Sequence, residues 1–227
     1  QRLCPDVPEM DDLFQTPENA ISQRSTTMHI VPPSGKPLKY AFEGLVLNRV
    51  AHDEALVELA KESGAKYLVD SHVDRVDHNS VVLRNGSIYS AKIIVGAGGH
   101  NDPLRRDYWN ESSLKIPVKF VLMEGDFGDA VELHFGSMAP GGYAWMFPKS
   151  SGANIGLGIQ RRFAKGRSLN QYAETFISKY DGKISFNGAG SLPMSGSIRN
   201  FVKDNYLLVG DAAGMVLLPM VRVSPSA

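Results

Sequence analysis

Two stretches of the chain carry apolar residues at helical spacing; most of the rest alternates in short runs. In Ala51–Ser63, Leu56, Leu59 and Ala60 fall on one face with Ala55 near its edge, while Glu58, Lys61 and Glu62 point away. A helix is expected there, with Gly64 as its C-terminal cap. Leu169–Tyr180 is a second helix, with Tyr172, Ala173, Phe176 and Ile177 on one face and Ser168 as N-cap. Residues 1–25 read as loop with one short helix near Met10–Phe14. Thr26–Val31 reads as a strand closed by Pro32-Pro33-Ser34-Gly35, and Leu38–Phe42 and Leu45–Leu47 as the strands that follow. Lys66–Val69, Val73–Val76 and Val81–Leu83 are short strands. Asn85-Gly86 then predicts a hairpin turn with positive φ at both central residues, and Ile88–Ser90 returns. Lys92–Val95 ends in Gly96-Ala97-Gly98-Gly99. Pro117–Glu124, Ala130–Phe135, Tyr143–Phe147 and Asn154–Ile159 read as successive strands. Tyr206–Val209 is a buried strand running into Gly210-Asp211-Ala212-Ala213-Gly214. Two glycine-rich strand ends far apart in sequence, with strands between them, suit an α/β nucleotide-binding core interrupted by a mostly antiparallel sheet.

Composition narrows the function classes. In 227 residues, 24 Lys and Arg cancel 24 Asp and Glu. Zero net charge argues against non-specific nucleic-acid binding, which depends on excess basic charge. The one cysteine, Cys4, excludes an internal disulfide and a Cys-rich zinc site, and suits a reducing compartment. The six histidines show no H-x-x-x-H spacing, so no metal site is expected. The most apolar stretch, Leu207–Val221, contains Asp211 and Pro219 and falls short of the roughly 20 residues a spanning helix needs. No signal peptide is visible. The chain starts at Gln1 without Met and stops soon after a glycine-rich element, so both ends read as cut.

Three segments could carry chemistry. At Gly210-Asp211-Ala212 the small residues let the backbone approach a ligand, and Asp211 can accept from a ribose hydroxyl or from loop amides. A plain strand-to-helix turn capped by Asp211 is an equal reading. Gly96-Ala97-Gly98-Gly99 sits where open α/β sheets bind ligands, but no helix pattern follows at once, and a loop explains it as well. In Pro140-Gly141-Gly142-Tyr143-Ala144-Trp145-Met146-Phe147-Pro148-Lys149, alternation puts Tyr143, Trp145 and Phe147 on one face. Such a row makes either a sheet core or a flat wall for an apolar chain or ring.

The pattern Pro140-x-x-Tyr143-x-Trp145-x-Phe147-Pro148-Lys149 resembles the signature of flavin-dependent geranylgeranyl reductases, including the archaeal digeranylgeranylglycerophospholipid reductases. Leu208-Val209-Gly210-Asp211-Ala212-Ala213-Gly214 is similar to their second flavin motif, which the wider hydroxylase-like flavoprotein class shares. Asn48-Arg49, followed by His52-Asp53-x-x-Leu56, resembles their Arg-bearing helix start. Ser137-Met138-Ala139-Pro140 and Asn154-Ile155-Gly156-Leu157-Gly158 flank the aromatic motif as in the family, and the likeness runs from about Thr26 to Gly214. The family's N-terminal GxGxxG unit has no counterpart before Thr26, its Ala-Asp-Gly turn appears as Ala97-Gly98-Gly99 without the carboxylate, and Met215–Ala227 departs from its pattern.

The resemblance implies an incomplete FAD-binding Rossmann-like domain interrupted by a substrate sheet, the hydroxylase-like flavoprotein fold. The expected division is 1–107 (partial FAD domain with early sheet strands), 108–200 (substrate sheet) and 201–227 (return strand and Gly-Asp motif). It implies FAD contacts at Arg49, Val73, Gly210, Asp211 and Ala212, and a prenyl wall of Tyr143, Trp145, Phe147 and Pro148. It names no catalytic residue, and it leaves Lys149 as a strand-end charge and Cys4 as an incidental thiol. The implied reaction is reduction of isoprenoid double bonds in membrane-lipid synthesis, with electrons from ferredoxin, the deazaflavin F420 or a nicotinamide. The implied location is cytoplasmic, with peripheral membrane contact. A flavin-dependent hydroxylase and a fragment unable to hold FAD are the rival readings.

Overall fold

The computed structural model describes residues 3–5, 14–109, 115–194 and 196–215. In chain order the strands and helices are β1 (Leu3–Pro5), β2 (Ile21–Val31), β3 (Leu38–Leu47), α1 (Arg49–Glu62), β4 (Val73–Asp77), β5 (Ser80–Leu83), β6 (Ile88–Ser90), β7 (Ile94–Gly96), α2 (Pro103–Tyr108), β8 (Lys115–Glu124), β9 (Val131–His134), β10 (Tyr143–Lys149), β11 (Gly152–Gly158), α3 (Leu169–Ile177), β12 (Lys183–Pro193), β13 (Val202–Lys203) and β14 (Tyr206–Leu208). They form two compact units, Gln1–Tyr67 with Ile116–Ser191 and Leu68–Lys115 with Leu192–Ala227. Along the chain the units change over at 67/68, 115/116 and 191/192, and β2 and β3 pair into the large sheet.

The first unit is built on an eight-stranded sheet in the order β1-β3-β2-β9-β10-β11-β8-β12. Neighbouring pairs such as β10–β11, β11–β8 and β2–β3 are antiparallel, while β2 runs parallel to β9. β2 and β3 form one long hairpin with two register shifts, longer than the three short strands the sequence suggests. One face of the sheet packs on α3. Ser168 and Gln171 close a capping box at its start, and Tyr172, Ala173 and Phe176 are buried against Ala144, Met146, Ile155 and Leu157. Burying such side chains is worth about 1.5–3 kcal/mol each, an upper figure because the unfolded chain already hides part of them.

At the edge of that core a polar cluster is satisfied internally. Tyr180 Oη donates to Glu132 Oε2 at 2.7 Å, His134 Nε2 lies 3.0 Å from the same oxygen, and His29 Nδ1 is 3.7 Å from Oε1. The His134 hydrogen bond, aided by Tyr180, outweighs burial and holds the Glu132 carboxyl below its ordinary value. Burial and the adjacent carboxylate together push the Tyr180 phenol well up.

α1 ends in a Schellman arrangement: Gly64 (φ 92°) donates to Lys61 O and Ala65 donates to Ala60 O. Among the described residues its apolar face is open, with Leu56 and Leu59 each 39% exposed and no residue of α1 buried. Spacing tells which face can be buried, not what packs on it. Among the described residues no helix is long and apolar enough to cross a membrane.

The second unit has two three-stranded sheets, β13-β14-β7 and β4-β5-β6. β14 and β7 are parallel, pairing Tyr206 with Ile94 and Leu208 with Gly96, so both glycine-rich strand ends emerge side by side. The β5–β6 hairpin forms where expected, but with a different turn. Only Gly86 has positive φ, Gly86 N–H donates to Leu83 O, and Asn85 Oδ1 accepts from Ser87 N–H. That is a type I turn followed by a glycine bulge. Lys66–Val69, expected as a strand, is not one: Tyr67, Leu68 and Val69 are more than half exposed, and Asp70 turns the chain at φ 52°.

Candidate functional site

The sequence-derived residues fall into both units. In the first, β10 puts Tyr143, Trp145 and Phe147 on the sheet face opposite α3, with ring centroids 5.7 Å and 6.1 Å apart along the row. Their flatness depends on glycine in the next strand. Trp145 pairs with Gly156 and Tyr143 with Gly158, and a Cβ on Gly156 would stand 2.6 Å from the indole. Trp145 Nε1 donates to Asn154 Oδ1 at 2.7 Å, so the buried ring is oriented and its polar atom satisfied. Phe120, in register with Gly156, carries the aromatic surface onward; its ring covers Gly188 and lies 6.1 Å from Phe186, which is 51% exposed.

Burial raises the Tyr143 phenol and lowers the Lys149 ammonium. Pro148 shares the alternate positions of β10 with Ala144 and Met146 and is fully buried. Arg49 opens α1 and is engaged by Asp53, with Nη2 2.9 Å from both carboxylate oxygens and Nε 3.1 Å from Oδ1. Burial alone would raise the Asp53 carboxyl, but bonds from Arg49 and His52 outweigh it and hold it below its ordinary value.

In the second unit, Gly210–Ala213 forms a 3₁₀ turn straight after β14. Whether a helix follows this turn falls on residues from 216 onward, which lie outside the described ones. Gly210 has φ 57° and no atom within 4 Å of where a Cβ would stand, so its backbone is open to a close approach. Asp211 follows, half-buried. Ala212 has no exposed surface and packs with Leu104, Ile198 and Leu208. Val73 packs at the margin of this core.

The space beside Gly96 and Gly98 is already filled. Asp102, 4% exposed, accepts from Gly98 N–H at 2.6 Å and from Arg105 N–H at 3.2 Å. A Cβ on Gly96 would lie 2.7 Å from Asp102 Oδ1, and one on Gly98 2.9 Å from Oδ2. These glycines admit a carboxylate of the chain itself, supplied five residues after the Ala97 of the motif. One turn on, buried Arg105 donates from Nη1 to Ala212 O at 2.7 Å. Asp102 and Arg105 thus tie the β7 and β14 turns together. The open backbone at Gly210 leaves room for a ligand's close approach, and the carboxylate of Asp211 is of the type that accepts from hydroxyls, which is compatible with part of a dinucleotide.

Sequence reading passed over Asp102, Arg105, Asn154, Phe120 and Phe186. Asp102-Pro103 carried a usable signal, since a capping residue before Pro marks a helix start. Asn154 carried another, as the polar residue in an otherwise apolar strand.

A sequence profile of the geranylgeranyl reductase catalytic domain matches residues 114–189, the stretch containing the aromatic row. Digeranylgeranylglycerophospholipid reductase 1 of Methanococcoides burtonii is 32% identical over 209 residues, covering 81% of this chain and 51% of that protein. The digeranylgeranylglycerophospholipid reductase of Methanocaldococcus jannaschii is 28% identical over 95% of this chain and 61% of its own length. The chain thus spans about half to three fifths of these relatives. Among solved structures, a geranylgeranyl bacteriochlorophyll reductase-like protein from Thermoplasma acidophilum superposes with TM-score 0.79 at 24% identity, covering 94% of this chain and 61% of that one. A probable FAD-dependent monooxygenase from Pseudomonas aeruginosa superposes with TM-score 0.60 at 16% identity, covering 86% of this chain and 62% of that one; at these identities the likeness is one of fold.

Proposed function

Because the chain belongs to the geranylgeranyl reductase family, we propose that it serves the FAD-dependent saturation of carbon–carbon double bonds in geranylgeranyl lipids. The observation that carries this reading is the aromatic face built from Tyr143, Trp145 and Phe147 over the glycine column of β11. An isoprenoid chain has no groups to recognise by hydrogen bonding, so it is held by shape and exclusion of water. Trp145 is fixed by Asn154 and cannot swing into the path of the chain. Tyr143 keeps its proton through neutral pH, because burial raises it, and so the face stays uncharged.

In the second unit Gly210 and Asp211 would contact FAD, with Ala212 and Val73 in the packing behind them; in the first unit Arg49 is the residue that the family likeness assigns to the cofactor. When bound in its reduced form, FAD would supply a hydride to one alkene carbon, and the neighbouring carbon would take a proton drawn from solvent. Gly210 lets the backbone come close to the dinucleotide, and Asp211 offers acceptors for its hydroxyls. Arg49 contributes a guanidinium for phosphate or ring oxygens, at the expense of its pairing with Asp53. No acid–base pair is invoked, since orientation and dryness do most of the protein's share. Electrons would come from ferredoxin, F420 or a nicotinamide, and contact with the membrane would be peripheral.

The test is anaerobic. Chain loaded with FAD and reduced chemically is incubated with a geranylgeranyl lipid, and products are weighed by mass spectrometry. Gain of two hydrogens per double bond supports the reading. A hydroxylated product formed only with oxygen supports a hydroxylase instead, and failure to retain flavin supports a non-catalytic fragment.

A further inference from the structure

The loop between β11 and α3 departs from the charge balance of the rest of the chain. Overall, 24 basic and 24 acidic residues cancel. Yet residues 133–173 contain no Asp or Glu at all, while Arg161, Arg162, Lys165 and Arg167 crowd into one turn of that stretch. All four are exposed. None has a carboxylate partner among the described residues: Arg162 donates to Gln160 Oε1 at 3.0 Å, and Arg167 donates to Gln171 O and Thr175 Oγ1. Successive left-handed residues, Lys165 (φ 48°) and Gly166 (φ 78°), turn the chain within the loop. Phe163 stands among the cations, 47% exposed, with the Arg162 guanidinium 4.6 Å from its ring centroid. Beside the loop lies a cavity of about 340 Å³ whose lining combines Pro117, Ile159, Ala164 and Leu169 with Arg161, Arg167 and Ser168.

We propose that this loop docks the protein on the surface of an anionic phospholipid bilayer. The charge is complementary to lipid phosphates, and arginine matches them with two parallel donors. The exposed aromatic ring suits the boundary between headgroups and acyl chains, where apolar bodies with polar neighbours settle. A cavity lined by both apolar residues and arginines suits an amphiphile rather than a free anion. The lipid substrate of the proposed function gives this docking its purpose, so it rests on that reading for meaning. Its physical basis is the loop's own charge and exposure.

Each basic residue near an anionic surface strengthens partitioning about fivefold at physiological salt, by the roughly additive rule for such segments. The experiment is sedimentation of the full chain with vesicles of phosphatidylcholine containing increasing phosphatidylglycerol. It needs neither flavin nor turnover, so it fails independently of the reductase reading. Binding should rise with phosphatidylglycerol and fall with salt. Arg161→Gln with Arg162→Gln should weaken it about 25-fold, and Phe163→Ser should weaken it several-fold with the salt dependence unchanged. Lys36→Gln with Lys39→Gln, two exposed cations on the β2–β3 hairpin, should bind as wild type. Equal losses in that control overturn the proposal, as does equal binding to pure phosphatidylcholine or none to any vesicle. A DNA duplex that displaces the protein as well as vesicles do would also overturn it, by showing a general polyanion patch.

Discussion

Replacing Asp102 by Ala removes one buried carboxylate that accepts two backbone N–H groups, Gly98 at 2.6 Å and Arg105 at 3.2 Å. The Arg105 bond is the N-cap of α2, worth about 0.5–2 kcal/mol. The Gly98 bond goes to a charged acceptor, worth about 1.5–3 kcal/mol, and the low end applies because Gly98 is exposed and water can replace the lost partner. The expected loss is therefore about 2–4 kcal/mol. Trp109 reports it directly, since it is 8% exposed in the same unit and its Nε1 donates to Asn200 O. The chain has two tryptophans, so urea unfolding is followed by fluorescence with Trp145 replaced by Phe in every variant compared. A double-mutant cycle sharpens the test. Gly98→Ala puts a Cβ 2.9 Å from Asp102 Oδ2 and should destabilise the protein. With Asp102 already Ala, the clash is gone, and the cost should drop by about 1 kcal/mol or more. Additive costs, or a loss below about 0.5 kcal/mol for Asp102→Ala, would refute the claim that the glycines exist to admit this carboxylate.

Three further outcomes follow from the same structure. Glu132 has a depressed folded value, so its contribution is fully present above the unfolded value near 4.5 and is lost as pH falls through the folded one. Glu132→Gln should flatten the rise of stability with pH on the acid side of the unfolded value near 4.5, read from urea midpoints; an unchanged slope would sink that assignment. Arg49→Gln removes an exposed i,i+4 pair worth about 0.3–0.5 kcal/mol, so the thermal midpoint should barely move while FAD affinity falls. Unchanged flavin titration would remove Arg49 from the cofactor site. Asn154→Ala strands the Trp145 indole N–H and should cost about 1–3 kcal/mol, whereas Asn154→Leu combined with Trp145→Phe removes both partners and should cost less than the two single changes together. Simple additivity in denaturation would show that the bond does not couple them.

The aromatic row was legible in the sequence because strand alternation assigns faces without knowledge of neighbours. Tyr143, Trp145 and Phe147 do share one face. What alternation could not supply was the cross-strand partner, so Gly156, Phe120 and Gly188 became visible only with register in hand. The parallel pairing of β7 and β14 suited the two glycine-rich strand ends, but the glycines of Gly96–Gly99 were open to two readings. Their space depends on Asp102, which reaches back from the next helix. β12 was not anticipated, because the glycines in Lys183–Pro193 obscure a strand pattern. α1 shows the opposite limit. Its spacing is helical and its cap is a Schellman turn, yet its apolar side remains open among the described residues.

The central claim, that the β10 face holds an isoprenoid chain, is tested most directly by Trp145 fluorescence. With Trp109 replaced by Phe, Trp145 is the sole tryptophan, excited selectively over the tyrosines at the red edge of absorption. Titration with geranylgeraniol delivered from cyclodextrin should shift its emission saturably, and Phe147→Ala should weaken that response. An emission spectrum indifferent to the alcohol would contradict the account.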